Sequence, residues 1–262
     1  MSVGGNRVLI RRPAPPLRPF IRSYIGYESG PSTTGFHRGL PSPFLTFVIG
    51  IDDGIEVTVQ SDPRRLGSRY ASVLGGLQIT PTITRADRSC SGLMIELAPF
   101  ALNALSGVSA GELWNCAHES ADVLGPFGRE LVERLQTGPW ERRFHVLDAL
   151  LVKRFGSPPT DTIAIEAWRQ IVRCDGRLDV AGLAAALSCS RQHLARSCRA
   201  AFGIAPKELA RVARLAAIAG KITTIDGLAR AAAEGGFADQ SHLTREFTDL
   251  AGCTPARYLH GE

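Results

Sequence analysis

The sequence predicts an α+β N-terminal half followed by an all-α C-terminal half. Three observations predict it. Up to about residue 98, apolar residues come in short runs split by turn signals. Beyond that they recur three and four positions apart, the helical period. Between the halves lies "GSPPTDT", Gly156–Thr162, where Pro158-Pro159 cannot continue a helix. The expected division is 1–156, a linker over 157–164, and 165–262. A prior of roughly 150 residues per domain also gives two domains for 262 residues.

Among the strands, "FLTFVIGI" (Phe44–Ile51) and "IEVTV" (Ile55–Val59) flank Asp52-Asp53-Gly54. A short turn signal between apolar runs predicts a hairpin. "YASVLGGLQIT" and "GLMIEL" are further candidates, and Pro13, Pro15, Pro16 and Pro19 keep the N-terminal segment out of a long helix. "APFALNALSG" then reads as a short helix ending on Gly107. "GPFGRELVERLQTG" and "PWERRFHVLDALLVKRFG" read as an antiparallel helix pair turning at Gly138-Pro139, with stripes Leu131/Leu135 and Phe144/Leu147/Leu151.

The second half reads as successive helices. Ile165–Cys174 comes first. Asp179 caps Val180–Leu187, and Ser190 caps Arg191–Ala201. Pro206 opens Lys207–Gly220. Asp226 caps Gly227–Glu234, Gly235-Gly236 turns the chain, and Gln240–Leu250 follows. This half echoes itself. "LAAALSCSRQHLARSCRAAFGIAP" (Leu183–Pro206) and "LARAAAEGGFADQSHLTREFTDLAGCTP" (Leu228–Pro255) share one plan: an Ala-rich helix, a tight break, a polar-faced helix, then Gly-x-x-Pro. Leu194 corresponds to Leu243, Arg196 to Arg245, and Cys198 to Phe247.

A helix–turn–helix requires such features. Its first helix needs small residues, here Ala184/Ala185 and Ala231/Ala232, so that the second crosses closely. Its second helix needs an apolar edge, here Leu194/Cys198/Ala201 and Leu243/Phe247/Leu250, and a polar edge for the major groove. The polar edges and the acid-free run "SRQHLARSCR" give the candidate DNA contacts: Ser190, Arg191, Gln192, Arg196 and Arg199, then Gln240, Ser241, His242, Thr244 and Arg245. Arg pairs bidentately with guanine and Gln with adenine, while Arg, Ser and Thr also bond phosphate. Net charge adds little. It is +5 overall, with 17 Lys and Arg against 14 Asp and Glu in residues 1–159 and 13 against 11 after it. The nucleic-acid signal is therefore local.

The C-terminal hundred residues resemble the AraC/XylS family of bacterial transcription regulators. "GGFADQSHLTREF" with "GCTPARY", "SRQHLARSCRAAFGIAPKEL" and Arg214-Leu215 carry the resemblance. It implies two helix–turn–helix units, about 180–201 and 227–250, joined by a linker helix and reading adjacent major-groove segments. Gln192 and Arg196 would read from the first unit, and Gln240, Ser241, His242 and Arg245 from the second. The chain departs from the pattern at Ser188-Cys189, Cys198 and Gly235, each expected to loosen packing. The N-terminal half resembles the sensor domains of such regulators through "HRGLPSPFLTFVIGIDDGIEV", "GGLQITPT" and "GLMIELAPFALNALSGVSAGEL". That implies a small β-barrel or cupin-like sheet plus a dimerising helix hairpin. The implied partners are double-stranded DNA, a small-molecule effector, RNA polymerase and a second copy in a homodimer. The implied role is transcription regulation, by activation or by repression.

Other readings stand beside this one. Arg196 and Arg245 as solvated helix residues, and Gln240 and Ser241 as mere helix starters, are the plainer alternatives. His242 serves equally well as a brace of the turn. His37 fits turn chemistry better than metal binding, and Trp114, Trp140 and Trp168 fit a core or interface. Without GxSxG, HExxH or a P-loop, no catalytic residue, metal or cofactor is expected. The six cysteines form no CxxC pair, so reduced and mostly buried thiols are expected. An alkyl-transfer repair protein with a DNA-binding tail would need a reactive Cys90, near Arg85 and Arg88. A regulator without effector, whose first half only binds protein, is the third reading. The first 20 residues lack a signal-peptide core and no run of about 18 apolar residues occurs. A cytoplasmic protein without a membrane partner is expected.

Overall fold

A computed structural model describes residues 6–155, 162–222, 225 and 227–259. Most of the expected linker lies outside these residues, as does Asp226. The first half holds β1 (Arg7–Arg11), β2 (Ile21–Ser29), β3 (Phe36–Gly39), β4 (Leu45–Gly50), β5 (Ile55–Val59), β6 (Ser68–Tyr70), β7 (Ser72–Gly75), β8 (Thr82–Arg85), β9 (Cys90–Leu97) and β10 (Ala117–Glu119). Its helices are α1 (Pro99–Ser106), α2 (Ser120–Leu124), α3 (Pro126–Leu135) and α4 (Trp140–Arg154). Two antiparallel sheets result. One has the order β1-β2-β9-β4-β7-β10, the other β3-β8-β5-β6.

Paired residues share a sheet face. One row of the larger sheet, Tyr24, Ile95, Phe47 and Leu74, is fully buried. On this side lies α4. The Tyr24 hydroxyl donates to Asp148 Oδ1 at 2.9 Å, and Trp140 Nε1 donates to Glu28 Oε1 at 2.6 Å. Burial, then the Asp148 charge, pushes the Tyr24 phenol up. Gly26 is required here, because a Cβ would stand 2.7 Å from the Trp140 ring. The opposite face carries a second apolar row: Ile10, Ile25, Met94, Val48 and Val73. This row is only partly covered, and Ile10 is 74% exposed.

The expected hairpin at Asp52-Asp53-Gly54 does not form. β4 already pairs with β7 and β9, so neither of its edges is free for β5. Instead β5 pairs with β6 and β8 in the other sheet. The three residues form a corner between sheets, with Gly54 at φ +79°. Gly50 packs against it so closely that a Cβ would lie 2.7 Å from Gly54 Cα. His37 lies within β3, not in a turn. The helix pair of α3 and α4 does form, turning at Gly138 with φ +99°. Its stripes Leu131/Leu135 and Phe144/Leu147/Leu151 are buried within the chain itself. They are therefore not available to a second copy.

The second half is helical throughout: α5 (Ile163–Arg173), α6 (Val180–Ala186), α7 (Arg191–Phe202), α8 (Pro206–Ala219), α9 (Leu228–Glu234), α10 (Gln240–Ala251) and α11 (Pro255–Leu259). α5 starts two residues earlier than expected, capped by Thr162 Oγ1, which accepts from Ile165 N. α9 starts one residue later, after Gly227. Trp168 on α5 joins the halves. Its Nε1 donates to Pro43 O at 2.7 Å, and its ring meets Phe44 and Phe100 edge-on at 5.4 Å.

Candidate nucleic-acid interface

Two helix pairs, α6–α7 and α9–α10, carry the candidate interface, and α8 separates them. Both second helices start on a side-chain cap. Ser190 Oγ accepts from His193 N at 3.1 Å, and Asp239 Oδ1 accepts from His242 N at 2.7 Å. Such a cap satisfies one of the amide donors that a helix start leaves orphaned. Both helices end on a left-handed glycine, Gly203 at φ +76° and Gly252 at φ +67°.

The apolar edges match at two positions, Leu194 with Leu243 and Cys198 with Phe247, and diverge after them, since Phe202 corresponds to Ala251 and Ala201 to Leu250. Leu194, Cys198 and Phe202 are buried on α7; Leu243, Phe247 and Leu250 on α10. Ala201 is only half-buried, and the sequence reading missed Phe202, which takes its place. Ala184, Ala231 and Ala232 are buried at the crossings, but Ala185 is exposed, so its small size is not needed there. Burial pushes the Cys198 thiol up to about 12. It acts as a small apolar side chain, fully buried in its site.

The turns share a left-handed residue but differ in length, with one residue between it and the cap in the first unit and two in the second. Ser188 occupies the left-handed region at φ +51°, where the second unit has Gly236 at φ +70°. Gly235 is not a source of slack. A Cβ on it would lie 2.6 Å from the Phe237 ring, which folds back over it.

Every expected polar contact residue lies on α7, on α10 or at their starts. Ser190, Arg191, Gln192, Arg196 and Arg199 are exposed, as are Gln240, Ser241 and Arg245; Thr244 and His242 are half-buried. Arg196 donates to His193 Nδ1 at 3.4 Å, and Ser190 is engaged as a cap. His242 braces its turn, since its Nδ1 accepts from Ala238 N at 3.2 Å and its ring meets Phe237 edge-on. Behind α10, Arg211 on α8 binds Glu246 at 2.7 Å and also Asp249. The sequence reading did not single out Arg211. The i, i+3 pair of acids on α10 facing one arginine was the available signal.

Cys90 does not fit the alkyl-transfer reading. Burial and the nearby Asp52 carboxylate raise its thiol, whereas a nucleophile needs a lowered one. Arg85 and Arg88 are engaged with Glu56, Asp87 and Asp53. All six cysteines are free; Cys198 and Cys253 are buried and Cys174 is exposed. Among the described residues no cluster of metal-ligating side chains occurs, and no helix is long and apolar enough to cross a membrane.

Residues 183–261 match a family model described as a helix-turn-helix domain, of the AraC type. The crystal structure of ToxT from Vibrio cholerae O395 is similar over 91% of this chain and 96% of that one, at 17% identity and TM-score 0.53. Unsaturated fatty acid bound ToxT from Vibrio cholerae strain SCE256 is similar over 95% and 96%, at 15% identity and TM-score 0.53. ToxT bound to (E)-4-(8-methylnaphthalen-1-yl)but-3-enoic acid is similar over 92% and 99%, at 17% identity and TM-score 0.54. These likenesses establish a shared fold. No match is found among the curated proteins.

Proposed function

We infer, from the AraC-type helix–turn–helix DNA-binding domain with which this chain of the AraC/XylS type ends, how its transcription-regulating activity is organised. Residues 165–262 read duplex DNA with two helices, and residues 1–156 act as a sensor. One observation carries the reading: α7 and α10 are capped, anchored and terminated alike, and each leaves a polar edge open to solvent. Arg245, with no partner among the described residues, and Arg196 are the principal readers. Gln192, Gln240, Ser241 and Thr244 flank them on the same edges. Ser190 and His242 serve mainly to hold the helix starts, while Arg191 and Arg199 add phosphate contacts.

The sensing role draws on the half-covered row Ile10, Ile25, Met94, Val48 and Val73. A small molecule with a substantial apolar part suits that surface. The ToxT structures bound to a fatty acid and to an aryl butenoic acid make such acids the first compounds to try. The reading places the protein in the cytoplasm, and a homodimer and a contact with RNA polymerase complete it.

The test is binding to duplexes selected by the protein from a randomised pool. Each neutralised phosphate contributes about −0.9 to the slope of log affinity against log salt. Arg245→Ala and Arg196→Ala should each weaken specific binding, by about tenfold or more where the lost contact reads a base. Unchanged binding in both variants would refute the assignment of readers.

A further inference from the structure

The carboxyl end of each reading helix is held by the sensor half, and the two holds are built differently. At the end of α7, Ser109 Oγ lies 3.0 Å from Ala201 O and 3.3 Å from Ala200 O, within donating distance of both. Gly111 approaches so closely that a Cβ on it would be 3.1 Å from Gly203 N. A Cβ on Gly203 would in turn stand 2.8 Å from Trp114 Cβ. At the end of α10, Arg38 Nη1 donates to Ala251 O at 3.1 Å. A Cβ on Gly252 would meet that Nη1 and Pro81 Cγ, each at 3.2 Å.

A helix end carries unsatisfied carbonyls and a partial negative charge, so a guanidinium there is doubly favourable. Gly203 and Gly252 are corresponding positions in the two units. The sensor therefore grips both units at the same point, at the opposite end from the capped starts. The reading edges stay open, so the holds set position and do not occlude DNA.

The holds rest on separate parts of the sensor. Ser109, Gly111 and Trp114 belong to the 3-10 turn after α1. Arg38 lies on β3, and Pro81 immediately precedes β8, its partner strand. β3 is an edge strand of the smaller sheet. Side chains alternate along a strand, so His37, next to Arg38, takes the other face. There it shares a row with Thr84 and the buried Val57. A displacement of that row would act on the strand that bears Arg38, while Ser109 lies on a different segment of the sensor.

We propose that the sensor fixes the placement of the two reading helices relative to each other through these two holds. Arg38 is the positioning residue for α10, and the β3–β8 edge is the part through which the sensor shifts it. The proposal rests on the two-helix reading given above. Its consequence is control over the spacing of the two half-sites, not over contact with either one. One base pair of shift corresponds to about 3.4 Å along the duplex, a distance that a side-chain hold of this kind can set.

Two measurements on the full chain test it. In hydrogen exchange without DNA, Arg38→Ala should speed the amides of the last turn of α10, by about tenfold, and leave those of α7 as in the wild type. Ser109→Ala should do the reverse. Equal exchange in Arg38→Ala and wild type at that turn overturns the hold, even if the wild type selects no duplex and the two-helix reading itself fails. In the second measurement, a duplex selected by the wild type is compared with versions whose half-sites are one base pair closer or farther apart. The wild type should lose about tenfold on the altered versions. Arg38→Ala should bind all three within about threefold, while binding a duplex with only the first half-site as well as the wild type does. A wild-type preference for spacing retained in Arg38→Ala overturns the positioning role.

Discussion

At the residue scale, residue type distinguishes two turns that share a left-handed position. Ser188 holds a left-handed conformation that favours glycine, and its counterpart is Gly236. For an L-residue that region costs roughly 1–2 kcal/mol. Glycine removes the cost but loses more entropy on folding, so Ser188→Gly should stabilise the protein by roughly 0.5–1 kcal/mol. Thermal unfolding checks it, and a lowered midpoint would show that serine makes a compensating bond. Gly235 gives the opposite expectation. The Phe237 ring occupies the space of its Cβ, so Gly235→Ala should cost about 1–3 kcal/mol through overpacking. The sequence pattern marked Gly235 as a defect because it shows only which residue is missing. What fills the gap is Phe237, two positions on, and only its side-chain direction reveals this.

At the scale of elements, the two helix–turn–helix units were legible because their determinants are local. Caps, left-handed C-terminal glycines and apolar stripes each involve residues within a few positions of one another. Ser190 and Asp239 can be compared directly as caps. Ser190→Ala and Asp239→Ala should each cost about 1 kcal/mol. Asp239→Ala should also disturb His242, because Asp239 and His242 jointly hold the turn after Phe237. In spectra of the two variants, the His242 ring resonances should move only in Asp239→Ala; movement in both would mean that the units are not independent at their starts. The sheets were less legible. β2 pairs with β9 across more than sixty residues, and β4 lies between β9 and β7. No local signal encodes those partners, so Asp52-Asp53-Gly54 read as a hairpin when it is a corner between sheets. The turn was correctly recognised as a turn; which strands it joins is a property of the whole sheet.

At the scale of the whole molecule, the question is how far the two halves act as one body. One hydrophobic cluster runs through both, and Trp168 sits at its crossing. The sequence placed Trp168 as a core or interface anchor, and it is both: on α5 it is buried, with its ring between Phe44 and Phe100 and its indole N–H on Pro43 O. Removing it would leave a cavity and an unpartnered buried carbonyl. Trp168→Ala should therefore cost about 3–5 kcal/mol, most of it in the contact between halves. Each half keeps its own core, the sheet rows in one and the α7 and α10 edges in the other. The loss should thus appear as a split of one cooperative unfolding transition into two, with the helical half melting first. Trp168→Phe retains the ring contacts and loses only the hydrogen bond, so it should lower stability without splitting the transition. If Trp168→Ala unfolds in one transition at a reduced midpoint, the coupling is spread over the Ser109 and Arg38 contacts instead. Combining Trp168→Ala with Arg38→Ala would then be required to separate the halves.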